Sequence, residues 1–241
     1  MPVATATVLR GSNAGEKMLV YLDRHVGSLS DSTFDLEVIE SARRLLAEGL
    51  SETIELSGSD GPVEVFFESF PPPPELIIFG AVHVAQPLTT IAKQLGFRVV
   101  VVDVREKLAT KERFPDADEI VLEWPDVALI HRSVDSSAAI AILSHDPKFD
   151  EPALLGSLST PARYIGAVGS RSTNQDRRER LRAAGVDEES LLRVRGPIGL
   201  NIGASTPEEM AISIMAEIIA ARHGRDGGPL TTATGKIRAR A

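Results

Sequence analysis

Apolar and β-branched residues first gather over residues 4–9 and 17–22, a pattern that predicts two strands. Phe34, Val38, Ala42, Leu45 and Leu46 then recur on one helical face. Ser32 is the predicted cap of this helix, with Asp35 as its box partner and Gly49 as its stop. Residues 53–56 and 63–67 read as a strand pair around a turn at 57–62. Four prolines in succession, Pro71 to Pro74, exclude helix and central strand and favour an extended polyproline conformation. Residues 1–70 are therefore predicted as a small α+β domain and residues 71–75 as a linker.

Beyond the prolines, strand and helix patterns alternate. Residues 76–79, 98–103, 120–123, 138–144 and 164–168 are strand-like apolar runs, several with no polar position between their ends. Helices are predicted over 84–95, 152–158, 174–184 and 207–222. The last has Thr206 as cap, Pro207 at its first position and Glu209 completing a capping box. Such alternation implies an α/β fold with a Rossmann-like doubly wound parallel sheet over residues 76–224. Residues 225–241 have little to bury and are expected to form a flexible tail. No repeat of domain-building length is visible.

The composition narrows the function classes. The 241 residues are 43% hydrophobic and 25% charged, which suits a globular chain of one large or two small domains. No run approaches the roughly 18 apolar residues of a membrane span, and no signal peptide is expected at the start. A net charge of −8 lacks the basic footprint of a general nucleic-acid binder. There is no cysteine, which excludes disulfides, thiolate metal sites and a cysteine nucleophile, and agrees with a cytoplasmic location. The five histidines do not fall at metal-ligating spacings, and neither H-E-x-x-H nor G-x-S-x-G occurs. The first segment is too small to be stable alone and has strand edges to cover, so a homodimer is expected.

Three turns at predicted strand ends and a loop before the last predicted helix hold the candidate chemistry. Gly80-Ala81-Val82-His83 leaves an apolar strand and opens a helix, the setting of a dinucleotide-binding turn. Asp103 lies 23 residues beyond Gly80, close to where an acid receives a ribose hydroxyl. Val82 replaces the middle glycine of G-x-G-x-x-A, and its Cβ is expected to obstruct a phosphate; a phosphate-free turn is the alternative. His145 beside Asp146 is either an acid/base pair or ligand clamp, or a plain turn before Pro147. Gly169, Ser170 and Arg171 suit an anion at a helix start, although Thr173 as a simple cap explains part of the pattern. The arginines that follow, Arg177, Arg178, Arg180 and Arg182, read as a solvated face. The glycine-punctuated stretch from Gly199 to Thr206, including Gly203, is either a further ligand loop or a turn and cap.

The stretches GAVHVAQPL, VVVVDVREKLATKERFP, ILSHDPKFDEPAL, YIGAVGSRST and PIGLNIGASTPEEMAISIMAEIIAARHG, in this order, resemble the Rossmann-type domain of the XdhC/CoxI family. KMLVYLD and VGSLSDSTFDLEVIESARRLL resemble its N-terminal domain more faintly. The resemblance implies an accessory protein that binds molybdenum cofactor, a pterin phosphate with or without a nucleotide. It would support sulfuration of that cofactor and deliver it to an apo molybdenum hydroxylase, with a cysteine desulfurase as a further partner. NAD(P) binding by an oxidoreductase, or a non-catalytic scaffold, are the alternatives. The cofactor-binding residues so implied are Gly80, Val82, His83, Asp103, Arg105, His145, Asp146, Gly169, Ser170, Arg171 and Gly203. Three departures from the family pattern stand out: Val82 for glycine, Thr33 where the family has a cysteine, and Asn201 for aspartate.

Overall fold

The structure, a computed structural model, describes residues 1–234. The chain divides into two compact units at the proline run, residues 1–72 and residues 73–232.

The first unit contains β1 (Val3–Arg10), β2 (Lys17–Tyr21), β3 (His25–Val26), α1 (Ser32–Glu48), β4 (Glu52–Gly58) and β5 (Gly61–Phe70). The strands form an antiparallel sheet in the order β3-β2-β1-β5-β4. Alternation puts Ala4, Ala6, Val8, Met18, Val20, Val65 and Phe67 on one face, where they meet Phe34, Val38, Ala42, Leu45 and Leu46 of α1. The predicted cap of α1 shifts by one residue. Asp31, not Ser32, accepts from the Thr33 and Phe34 amides at 2.9 and 3.0 Å, because its carboxylate reaches both orphan donors. Asp35 turns backward instead and accepts from the Leu29 and Ser30 amides, which fixes the approach to the helix.

The second unit contains β6 (Glu75–Phe79), α2 (Ala85–Gln94), β7 (Arg98–Val102), β8 (Glu119–Val121), α3 (Pro125–Ile130) and β9 (Ala139–Ile142). It continues with α4 (Pro147–Leu158), β10 (Tyr164–Ala167), α5 (Arg171–Ala183), α6 (Glu188–Leu192), β11 (Val194–Arg195) and α7 (Pro207–Arg222). All strand pairs are parallel, in the order β11-β10-β9-β6-β7-β8. Both faces are covered, which is why the strands read as unbroken apolar runs. One face buries Leu76, Ile78, Val99 and Val101 under α2 and α7. The other buries Ile77, Phe79, Val100, Ile140 and Ile142 under α3, α4, α5 and α6. The fold is α/β, a Rossmann-like doubly wound sheet with a small α+β unit before it. The winding reverses between β6 and β9, so the turns after those two strands flank the switch point where such sheets take ligands.

Two helices begin earlier than their patterns imply. Helix α4 starts at Pro147 rather than Pro152; Pro152 lies inside it as the sixth residue, where the helix forgoes one amide donor. Helix α5 starts at Arg171 because Ser170 caps it, accepting from the Thr173 amide at 3.0 Å. The short α3, α6, β3 and β11 carry too little periodicity to stand out in the sequence. The tail expected over 225–241 is exposed throughout residues 225–234, and its remainder lies outside the described residues.

Candidate functional site

At the end of β6, Gly80 has a φ of +106°, and a Cβ there would lie 3.0 Å from the Ser144 nitrogen. Glycine therefore lets the turn after β6 close upon the turn after β9. The Gly80 amide donates to Val102 O and the Ala81 amide to Asp103 Oδ2, at 2.9 and 2.7 Å. Arg113 Nη1 donates to Ala81 O at 3.1 Å and to Leu108 O at 2.7 Å, clamping the turn from outside. No side chain caps α2, and the amides of Val82, His83 and Val84 donate to no other group among the described residues. Val82 and Val84 pack against the core beneath α2, while His83 is exposed. The Val82 side chain, expected to obstruct this turn, is thus engaged in packing.

Asp103 is fully buried. Its Oδ1 accepts from the Arg105 amide and Nε at 2.9 and 2.8 Å, and its Oδ2 from the Ala81 amide and Arg105 Nη2, both at 2.7 Å. Burial alone pushes the carboxyl up, but the hydrogen bonds from Arg105 and the two amides outweigh it and hold it below the usual aspartate range. The spacing that casts Asp103 as a ribose acceptor finds a carboxylate with both oxygens doubly engaged. The group offered outward at this place is the Arg105 guanidinium.

After β9, Ser144 is buried and His145 and Asp146 are exposed. Asp146 caps α4, accepting from the Lys148 amide at 3.0 Å, and its own amide donates to Ser144 Oγ at 3.1 Å. No hydrogen bond joins His145 to Asp146 among the described residues, so the geometry is that of a turn and cap rather than an acid/base pair. The Asp146 charge reaches Arg105 and adds to the stabilisation of its cationic form, behind the Asp103 hydrogen bond.

The turn after β10 is held from beneath by an arginine whose sequence setting predicts a solvated face. The Arg177 side chain is 4% exposed. Its Nη1 donates to Val168 O and Asn174 Oδ1 at 2.9 and 2.7 Å, and its Nη2 to Asp150 Oδ2 at 2.9 Å. Asn174 Nδ2 in turn donates to Gly169 O and Ser170 O, each at 3.1 Å. Burial pushes the Asp150 carboxyl up, with Arg177 acting against it. A signal for Arg177 exists in the sequence: it lies four residues before Leu181 and three after Asn174, on the buried stripe of α5. Arg171, at the first position of α5, remains exposed.

The loop from Gly199 to Gly203 hangs on a second buried network. Tyr164 OH donates to Glu217 Oε2 at 2.6 Å, and the Gly199 amide reaches the same oxygen at 2.8 Å. Ser213 Oγ donates to Leu200 O at 2.6 Å. This loop and Arg171 line a cavity of about 430 Å³, which Gly203 borders. A second cavity of about 450 Å³ opens beside His83, between α2, the segment before β8 and the start of α7. The switch point thus gathers Gly80, His83, Asp103, Arg105, His145 and Asp146, while Arg171 and Gly203 line the neighbouring cavity and Ser170 serves as the cap of α5. No group of three or more metal-ligating side chains occurs among the described residues, and no described helix is long and apolar enough to cross a membrane.

Comparison with known proteins follows the same outline. The family profile of the XdhC Rossmann domain matches residues 76–218, and that of the XdhC and CoxI family matches residues 1–57. An uncharacterized protein of Escherichia coli K12, YqeB, is 30% identical across 94% of this chain and 45% of its own length. A protein of Bacillus subtilis 168 named as a probable xanthine dehydrogenase subunit is 34% identical across 70% of this chain and 49% of its own. The molybdenum cofactor insertion chaperone PaoD of Escherichia coli K12 is 26% identical across 65% and 43%. The chain spans about half the length of these curated relatives or slightly less. A crystal structure of a xanthine dehydrogenase from Bacillus halodurans superposes with a TM-score of 0.59 at 23% identity, over 97% of this chain and 94% of that one, which shows a shared fold.

Proposed function

The chain belongs to the XdhC and CoxI family, and on that footing we propose that it binds molybdenum cofactor at the switch point and hands it to a molybdenum hydroxylase of the xanthine dehydrogenase kind. The observation that carries the reading is the turn after β6, where three consecutive amides leading into α2, those of Val82, His83 and Val84, have no acceptor among the described residues. Unpaired amides at a helix N-terminus favour a phosphate or other anion. The neighbouring donors suit the same charge: Arg105, held by the Asp103 that accepts from Ala81, offers a guanidinium group and exposed His83 an imidazole. A pterin phosphate is an anion of this type, so the residues present fit the group. When bound, that cofactor supplies the molybdenum centre for the recipient enzyme. This chain's residues hold its anionic end, with Asp103 and Arg113 keeping the turn rigid. The names of the B. subtilis relative and of PaoD point the same way, toward a xanthine dehydrogenase-type enzyme and cofactor insertion.

The nicotinamide alternative loses its main support, because Asp103 is occupied by Ala81 and Arg105. The test is co-elution of the purified chain with isolated molybdenum cofactor in gel filtration, read by pterin fluorescence, followed by activation of a cofactor-free hydroxylase. Co-elution and activation are expected. A chain that neither carries pterin fluorescence nor raises activation above free cofactor would refute the reading.

A further inference from the structure

The cavity beside His83 adjoins the turn whose amides are unpaired. Pro87, Pro115 and Pro207 contribute three rigid apolar surfaces from three different segments. Glu112 and Glu208 contribute carboxylates from the segment before β8 and from the first turn of α7. Both carboxylates are exposed, and neither has a hydrogen-bond or ion-pair partner among the described residues, whereas the third acid, Asp116, is engaged by Thr90 Oγ1 at 2.8 Å. The one cation in the lining, Arg113, directs Nη1 at two carbonyl oxygens, Ala81 O and Leu108 O. The cavity volume, about 450 Å³, lies within the ordinary range for a small-molecule site.

Proline surfaces beside carboxylates that only accept suit a ring bearing N–H donors on its edge. We propose that this cavity receives the ring of the ligand, and that Glu112 and Glu208 accept from the amino and ring N–H groups of a 2-amino-4-oxo pyrimidine edge, the edge shared by pterins and guanine. This rests on the proposed function and adds to it where the ring lies and what selects it. His83 joins the two parts: its side chain lines the ring cavity and its amide belongs to the phosphate turn. A ring with an oxo group in place of the amino group would set an acceptor against a carboxylate. One hydrogen bond would become a repulsion at an otherwise unchanged shape.

The experiment compares two fluorescent probes on the full-length chain, neopterin monophosphate and the matching lumazine, which carries oxygen in place of the 2-amino group. Wild type is expected to bind the pterin at least about tenfold more tightly, the equivalent of roughly 1.4 kcal/mol. Glu208→Gln, Glu112→Gln and the double variant are expected to lose most of this preference while keeping their thermal midpoints. Glu208 is not part of the α7 capping box, which uses Glu209, so its replacement leaves that cap intact. Equal affinity of wild type for the two probes, or a preference undiminished in the double variant, overturns the ring assignment. Absence of any pterin binding overturns it too. Co-elution of the intact cofactor tests the underlying reading separately, so failure of the one does not imply failure of the other.

Discussion

Arg177 shows how one buried charge can hold a surface turn in place. Its guanidinium links the end of β10, Asn174 and Asp150, and through Asn174 it sets the carbonyls of Gly169 and Ser170. Removing one member of a buried ion pair leaves the other uncompensated. Arg177→Met is therefore expected to cost about 3–5 kcal/mol of stability, read as a lower urea midpoint. Asp103 and Asp150 answer to pH in opposite senses. The folded-state pKa of Asp103 is depressed below 3.8, so its stabilising contribution is present above that value and disappears as pH falls through the folded pKa. The folded-state pKa of Asp150 is raised above 3.8, so its contribution is largest below that value and declines as pH rises through the folded pKa. Asp103→Asn should therefore be less stable than wild type at neutral pH, with a gap that narrows as pH drops below 3.8. Urea unfolding of both proteins at neutral and acid pH measures this. A gap of constant size would mean that Asp103 does not titrate as described.

At the scale of elements, the loop before α7 depends on where glycine is required. Gly199 has a φ of +98°, and a Cβ there would lie 2.4 Å from Ser213 Oγ. Gly203 has a φ of +75° with open space around it. Alanine at 203 meets only the left-handed backbone penalty, about 1–2 kcal/mol. Alanine at 199 must in addition displace the hydroxyl that holds Leu200 O, so Gly199→Ala should lower the thermal midpoint more than Gly203→Ala. Equal shifts would show that the Ser213 contact yields without cost. The same elements show what the sequence discloses. Strands buried on both faces and the Thr206 capping box are local patterns, and they were legible. So were the turns after β6 and β9, which the pairing of those two strands sets side by side. The start of α4 was not, because Pro152 resembles a first-turn proline while the true first-turn proline is Pro147. The partners of Asp103 were hidden for a different reason. The Ala81 amide is brought to it by the pairing of β6 with β7, a contact between distant residues that no spacing rule contains.

For the whole molecule, the two units divide the chemistry. The turn after β6, both cavities and the buried networks around Asp103, Arg177 and Glu217 all lie within residues 73–232. Thr33 lies in the first unit, where the family resemblance places a cysteine. Its amide donates to Asp31 in the first turn of α1, and its side chain is exposed. A hydroxyl there cannot carry a persulfide, and the chain has no cysteine elsewhere to do so. If the chain delivers a sulfurated cofactor, the sulfur must be added by another protein, a role that suits a cysteine desulfurase. Activation of a hydroxylase that requires a sulfurated cofactor should therefore need added desulfurase as well as this chain. Active hydroxylase formed with this chain and free sulfide alone would contradict that requirement. Thr33→Cys sharpens the test. A thiol exposed in the first turn of α1 would sit at the positive end of the helix dipole, which favours the thiolate, so it should be reactive toward persulfide donors. Transfer of sulfane sulfur from an added persulfide donor to the variant thiolate, with the donor released as its thiol, detected by thiol-labelling mass spectrometry and absent in wild type, is the expected result. An unlabelled variant thiol would show that this helix start does not activate a cysteine.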